Sequence, residues 1–435
     1  MLQSPVRHPA SAFDLFNVLY ECLYEPSMHV VFQGTGEISV ERLKTATLRL
    51  VAANPYLHTK FTIINDIPFW EELPKDLWER AFVIDSGIEP VPPDHMPLPL
   101  DVYSGPQIRV TLFQREGEDS NRICVTCHHG FCDARAILYL SRELFDLYHR
   151  LAREPDYIPE PVGLYDRTSR ALLATYTEEE LKHADANAQI FEDNWRFPNE
   201  NTGRGIPKLA YLTLPETRMS AIKAYGKSHG ASVHDILIAV FYLAMIRIRD
   251  NPQDYDSFRG ILTSADMRRL LPATDIIYPM NYSIAFEIQL RIFEGAGLSD
   301  IIGNVTTELK YRKEGGLGPS SFTLFEDLHK NGISAVRTFF EGMNSKYEST
   351  GLKNPVLSNI GVIDLDWFNP QRKIDSHVLT LTDAWIIPCV SWPYCFLTVA
   401  STCNNRLTLI IGYEEGPYSK DTIEKFLKLM DVLLP

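Results

Sequence analysis

Residues 236–246 read ILIAVFYLAMI, eleven residues with no charge among them. That is far short of the roughly 20 apolar residues a membrane-spanning helix needs. Ser232 stands just ahead as a helix N-cap, and Asp235 falls in the first turn, where a carboxylate complements the helix dipole. A helix that is apolar almost all round is expected to lie deep inside a protein core. The chain that must cover it has 435 residues, 45% hydrophobic and 23% charged, the profile of a globular protein. Its length suits two domains of roughly 200 residues each better than one core.

The net charge of −14 argues against a chain whose business is nucleic acid, because such proteins present a basic face to the phosphates. An anionic ligand would have to find a local basic patch against the overall field. The first residues, MLQSPVRHPASAFDLF, lack the basic-then-apolar pattern of an export signal, so a cytoplasmic protein is expected. Seven scattered cysteines are read as reduced thiols. A monomer with no membrane span is expected.

Residues 122–136, RICVTCHHGFCDARA, concentrate the chemistry. Cys124, Cys127 and His128 match a haem-attachment pattern literally. The same residues with Cys132 could form a zinc cluster. His129 and Asp133 could be a general base and its partner. RICVTC alternates Ile123, Val125 and Cys127 with Cys124 and Thr126, which is strand periodicity. Residues three apart on a strand point to opposite faces. Cys124 and Cys127 would then diverge, whereas zinc draws its sulfur ligands in to about 2.3 Å. No metal and no bound cofactor are therefore expected, and the cysteines are read as small buried hydrophobes. Gly130 then marks a turn. Asp133 is placed to cap a helix whose face carries Ile137, Leu140, Leu144, Leu147 and Tyr148. His128 and His129 should point opposite ways. Taken alone, a His–Asp pair fits a helix cap beside a core histidine as well as it fits a catalytic pair.

HHGFCDA resembles the HHxxxDG motif of the condensation-domain and acyltransferase superfamily. That group includes nonribosomal-peptide condensation domains, polyketide-associated acyltransferases, alcohol acetyltransferases and chloramphenicol acetyltransferase. Further segments are similar in the same order: ISVERLKTATLRLVAANPYLHTKF (38–61), GASVHDILIAVFYLAMIR (230–247), SADMRRLLPATDIIYPMN (264–281), VLSNIGVIDL (356–365), and the closing strand, strand and helix from residue 396. Ala134 stands where the motif has Gly. The DFGWG signature of the plant branch is absent.

The resemblance implies an α/β fold of two chloramphenicol-acetyltransferase-like lobes in a V with a channel between them. Residues 1–190 would form the N-terminal lobe with the motif, 191–208 a crossover linker, and 209–435 the C-terminal lobe, its first strand being LAYLTL at 209–214. The activity implied is transfer of an acyl group from a thioester, on coenzyme A or an acyl carrier protein as co-substrate, to a hydroxyl or amine of a small secondary-metabolite acceptor. O-acylation is favoured over N-acylation. The resemblance makes His129 the general base, Asp133 an orienting group and Arg268 its ion-pair partner. Ser358 and Asn359 become oxyanion donors, Asn281 and His128 residues that shape the site. Two alternatives stay open: a non-catalytic condensation-like scaffold, and a cyclase, epimerase or hydrolase using the same His129.

Overall fold

The alternation in RICVTCH builds a strand, Asn121–His128, in the middle of a five-stranded sheet. The structure is a computed structural model and describes residues 5–87, 93, 95–114, 121–186, 192–272, 277–314, 317–369 and 379–435. Ile123, Val125 and Cys127 enter the largest core cluster, together with Ile137, Leu140, Leu144, Leu147 and Tyr148 of the helix Ala134–Leu151. Cys124 enters a different cluster with Val31, Phe113 and Trp385. Thr126 Oγ1 meets His29 Nδ1 at 2.9 Å. A period of two thus divides this strand between two buried faces.

The run at 236–246 forms the centre of a helix, Val233–Arg249, in which every one of those residues is buried. Its N-terminus is a capping box: Asp235 N–H donates to Ser232 Oγ at 3.2 Å and Ser232 N–H to Asp235 Oδ2 at 2.8 Å. The helix packs between helices Leu298–Glu314 and Lys420–Leu433, and its core also takes Ile261, Leu357 and Leu409 from the sheet beside it. Each such side chain contributes about 1.5–3 kcal/mol on burial. Among the described residues no single helix is long and apolar enough to cross a membrane. The pair Glu216–Ser228 and Val233–Arg249 passes together by length and composition, but it bends by 99°.

That second sheet has eight strands. Ser283–Arg291, Phe258–Asp266, Val356–Ile363, Leu397–Cys403 and Arg406–Glu415 run in spatial order. Val390–Ser391 and Tyr24–Glu25 continue the order, and Ile206–Thr213 pairs with Arg406–Glu415. A three-stranded sheet holds Arg7–Pro9, Ile67–Glu72 and Thr59–Ile64. The fold is therefore mixed α/β.

The strand expected to start at Leu209 starts at Ile206, because its antiparallel register with Arg406–Glu415 extends to Ile206↔Glu415. Residues 187–191, at the expected lobe boundary, lie outside the described residues. The segment that follows is anchored: Trp195 and Phe197 are buried, and Phe197 stacks on Phe396 at 3.6 Å. Each half of the chain also lends a strand to the other. Thr380–Ile387 pairs with Ser27–Thr35 in the five-stranded sheet, and Tyr24–Glu25 pairs with Val390–Ser391 in the eight-stranded one.

Candidate active site

The motif strand ends at His128, and the chain turns through Gly130 into the helix capped by Asp133. His128 is 2% exposed. Its Nδ1 accepts the Gly130 N–H at 2.9 Å, so that nitrogen carries a lone pair and the turn is tied to the ring. Burial and the neighbouring His129 push the His128 pKa down to about 3. His128 is thus neutral at physiological pH, with its Nδ1 committed to the turn.

His129 keeps partial exposure. Its Nδ1 is buried and has no hydrogen-bond partner among the described residues. Nε2 also carries no hydrogen bond there, and unlike Nδ1 it is not fully sealed. The backbone is fixed on both sides: His129 N–H donates to Pro26 O at 2.8 Å, and the His129 carbonyl accepts from Asn281 Nδ2. Burial lowers the imidazole pKa below its ordinary 6.5. The residue's own backbone carbonyl, the charge of Asp133 and the Asn281 side chain pull the other way without restoring it. A ring neutral at pH 7 with one accessible nitrogen can accept a proton.

Asp133 is saturated. Oδ1 accepts the N–H groups of Arg135 at 3.1 Å and Ala136 at 3.0 Å, which is the helix cap. Oδ2 accepts Arg268 Nη1 at 2.8 Å and Tyr282 N–H at 2.7 Å. Burial alone would raise its pKa, but the Arg268 guanidinium and these backbone donors outweigh it and hold the carboxyl below 3.8. Arg268 and Asp133 therefore meet, from positions 135 residues apart.

Residues 279–282 are pinned one after another against the motif. Pro279 O accepts Arg167 Nη1 at 3.0 Å, Met280 O accepts Arg268 Nη2, and Tyr282 O accepts Met267 N–H at 2.9 Å. Sequence reading missed Arg167. It is 3% exposed and donates to both carboxylate oxygens of Asp14, at 3.0 and 2.7 Å, and to Phe131 O inside the motif at 2.6 Å. Trp70 Nε1 joins Asp14 at 3.0 Å. No local pattern links positions 14 and 167, so nothing in the sequence flags this cluster.

Ser358 and Asn359 lie on Val356–Ile363, beside the strand that leads to Arg268. Ser358 Oγ meets Ser264 Oγ at 2.9 Å. Asn359 Oδ1 accepts Gly361 N–H at 3.0 Å across a register shift in the strand, which leaves its Nδ2 hydrogens free among the described residues. No hydrogen bond there joins either residue to His129. Cys124 and Cys127 sit on opposite faces of the motif strand, a geometry that cannot converge on one ion. Burial pushes the Cys124 thiol up to about 12. A cavity of about 220 Å³, walled by Leu19, Cys22, Arg337 and Phe340 among others, has none of the expected site residues in its lining.

Residues 24–254, more than half of the chain, match the family described as Condensation domain. Over 382 residues, 80% of the chain, the sequence is 22% identical to surfactin synthase subunit 1 of Bacillus subtilis, of which it covers 10%. It spans no more than a tenth of the curated relatives it matches. Among solved structures, TRI3 trichothecene 15-O-acetyltransferase from Fusarium sporotrichioides aligns with a TM-score of 0.70 at 15% identity, covering 99% of this chain and 94% of that one. Polyketide synthase associated protein 5 from Mycobacterium tuberculosis aligns at 0.66 and 17% identity, covering 98% of both chains. At these identities the likeness establishes the shared fold.

Proposed function

This chain belongs to the condensation-domain family, and on that premise we propose that it is an acyltransferase in which His129 Nε2 is the general base. The donor is a thioester of coenzyme A or of an acyl carrier protein. The acceptor is a hydroxyl or amine of a small secondary metabolite. A structural relative that is an O-acetyltransferase by name supports the hydroxyl.

The observation that carries this reading is the contrast within one ring. Nδ1 is sealed and Nε2 is not, and burial holds the imidazole below its ordinary 6.5, so the ring is unprotonated near neutral pH. Nε2 takes the proton of the acceptor as its oxygen or nitrogen attacks the thioester carbonyl carbon. The tetrahedral intermediate collapses, the C–S bond breaks, and the departing thiolate receives the same proton from Nε2. No acyl-enzyme forms. Asp133 takes no part in the proton transfer, because its four acceptor positions are filled. Asn359 Nδ2 is proposed as the donor to the developing oxyanion in preference to Ser358, whose hydroxyl is engaged by Ser264.

Incubation of the full chain with a panel of acyl-CoAs against an alcohol and amine library, read by mass spectrometry, tests this. Acyl products are expected with wild type and not with His129→Ala, and Asn359→Ala should lose about 10²–10³ in rate. Product formation undiminished in His129→Ala would end the general-base reading. Thioester hydrolysis with no acyl product on any acceptor would point to the hydrolase alternative.

A further inference from the structure

We infer that Gly361 is a positioning residue for Asn359: its backbone conformation and its N–H turn the Asn359 amide so that Nδ2, not Oδ1, is presented to the developing oxyanion. The inference rests on the reading of Asn359 as that donor.

Val356–Ile363 is an interior strand, held between Phe258–Asp266 and Leu397–Cys403. Its parallel register with Leu397–Cys403 runs unbroken to Asn359↔Ala400 and resumes at Gly361↔Ser401, so Ile360 is one residue too many. Bulges are rare in parallel pairs, and beside active sites they re-aim side chains. The side chains record the shift. Ile360 and Ile363 both pack against the largest core cluster, although residues three apart on a regular strand face opposite ways.

Gly361 absorbs the irregularity. Its φ is +87°, a region that a residue with a Cβ enters only with strain. Nothing lies within 4 Å of the place a Cβ would take, so the backbone demands the glycine and crowding does not. In this conformation the Gly361 N–H donates to Asn359 Oδ1 at 3.0 Å. A backbone N–H can only donate, so it selects the amide oxygen and fixes the flip of the whole group. The two Nδ2 hydrogens are then left for another acceptor. The reverse flip would aim an oxygen lone pair at the same place and repel an oxyanion rather than stabilise it.

Gly361→Ala tests the coupling without adding a clash. The donor is acetyl-CoA and the acceptor is the alcohol that gives most product in the panel above. The variant's kcat is expected to fall at least about tenfold while KM stays within about twofold, the mark of an interaction made in the transition state. In an Asn359→Ala background the same change should alter kcat by less than about twofold, because the group it positions is gone. Gly361→Asn, which enters positive φ more readily than alanine, should keep more of the rate. Equal losses in the two backgrounds would make Gly361 structural only and overturn the inference, as would wild-type kcat in Gly361→Ala. Hydrogen exchange of the ligand-free full chain needs no substrate: the Gly361 N–H should exchange at least about tenfold faster in Asn359→Ala than in wild type. Equal exchange in both means that the bond is absent, and it sinks the inference even where Gly361→Ala does not fold. Full turnover in Asn359→Ala would instead remove the oxyanion reading, and the inference with it, by a result obtained with Gly361 untouched, so the two failures are distinguishable.

Discussion

With every acceptor position on its carboxylate occupied, Asp133 makes no hydrogen bond to the His129 ring and positions the motif through the backbone groups it holds. It caps the helix that follows the motif and anchors Arg268 and Tyr282 from the second half of the chain. Removing it leaves a buried guanidinium uncompensated and an uncapped helix, which should cost about 3–5 kcal/mol for the broken pair and about 1 kcal/mol for the cap. Asp133→Ala is therefore expected to shift the urea unfolding midpoint well below wild type. Asp133→Asn, which can keep the cap oxygen, should lose less. Because the carboxyl is held below 3.8, its stabilisation is complete above that value and is lost as pH falls through the lower folded pKa. An unchanged midpoint with only turnover reduced would make Asp133 a chemical group after all. The spacing of HHGFCDA and the DMR triplet made Asp133 and Arg268 legible, because a resemblance carries residue identities. Asn281 was legible only as a residue shaping the site. Its tie to the His129 carbonyl depends on a side-chain rotamer, which no spacing encodes.

The elements around the motif divide in the same way. The strand and helix flanking His129 follow from local periodicity, and Ser232 with Asp235 announces the buried helix, so those three were readable from sequence. What converges on the motif turn was not. Asp14 belongs to the helix Ala12–Leu19, where it also completes a capping box with Ser11. Arg167 ties that helix to Phe131 and Pro279, and its guanidinium lies 4.8 Å from the centre of the Phe131 ring. The pair is 1% and 2% exposed at the side chains, so cutting it from one side strands a charge in the core. Arg167→Met or Asp14→Leu alone should each destabilise by about 3–5 kcal/mol. The double substitution, which removes both charges, should recover much of that loss. Denaturation of the three variants forms a double-mutant cycle. Strict additivity of the two single losses would show that packing of the stems, rather than the ion pair, holds the turn.

At the scale of the whole molecule, the chain's two halves are not two independent cores. Thr380–Ile387 supplies an outer strand of the five-stranded sheet, pairing along Ser27–Thr35 from Thr380↔Thr35 to Ile387↔His29. Its side chains complete both faces: Leu381, Ala384 and Ile386 enter the largest cluster, while Trp385 and Ile387 join Val31 and Cys124 on the other side. That cluster also takes Met267, Phe322, Val336 and Phe340 from the second half, against Phe13 and Phe16 of the first. Periodicity shows that TLTDAWII can be a strand, but strand partners this far apart in sequence leave no local trace. A fragment of residues 1–208 would expose the edge of Ser27–Thr35 and an apolar face, a surface prone to pairing with other chains. Neither 1–208 nor 209–435 is expected to unfold cooperatively when expressed alone, and the two together should recover a single transition with native-like circular dichroism. Because His129 and Asn281 come from opposite halves, the same mixing experiment should restore the His129 resonances only in the reassembled protein. A separate 1–208 fragment with a sharp unfolding transition and a dispersed spectrum would mean that the exchanged strand is peripheral and that the motif's surroundings form without the second half.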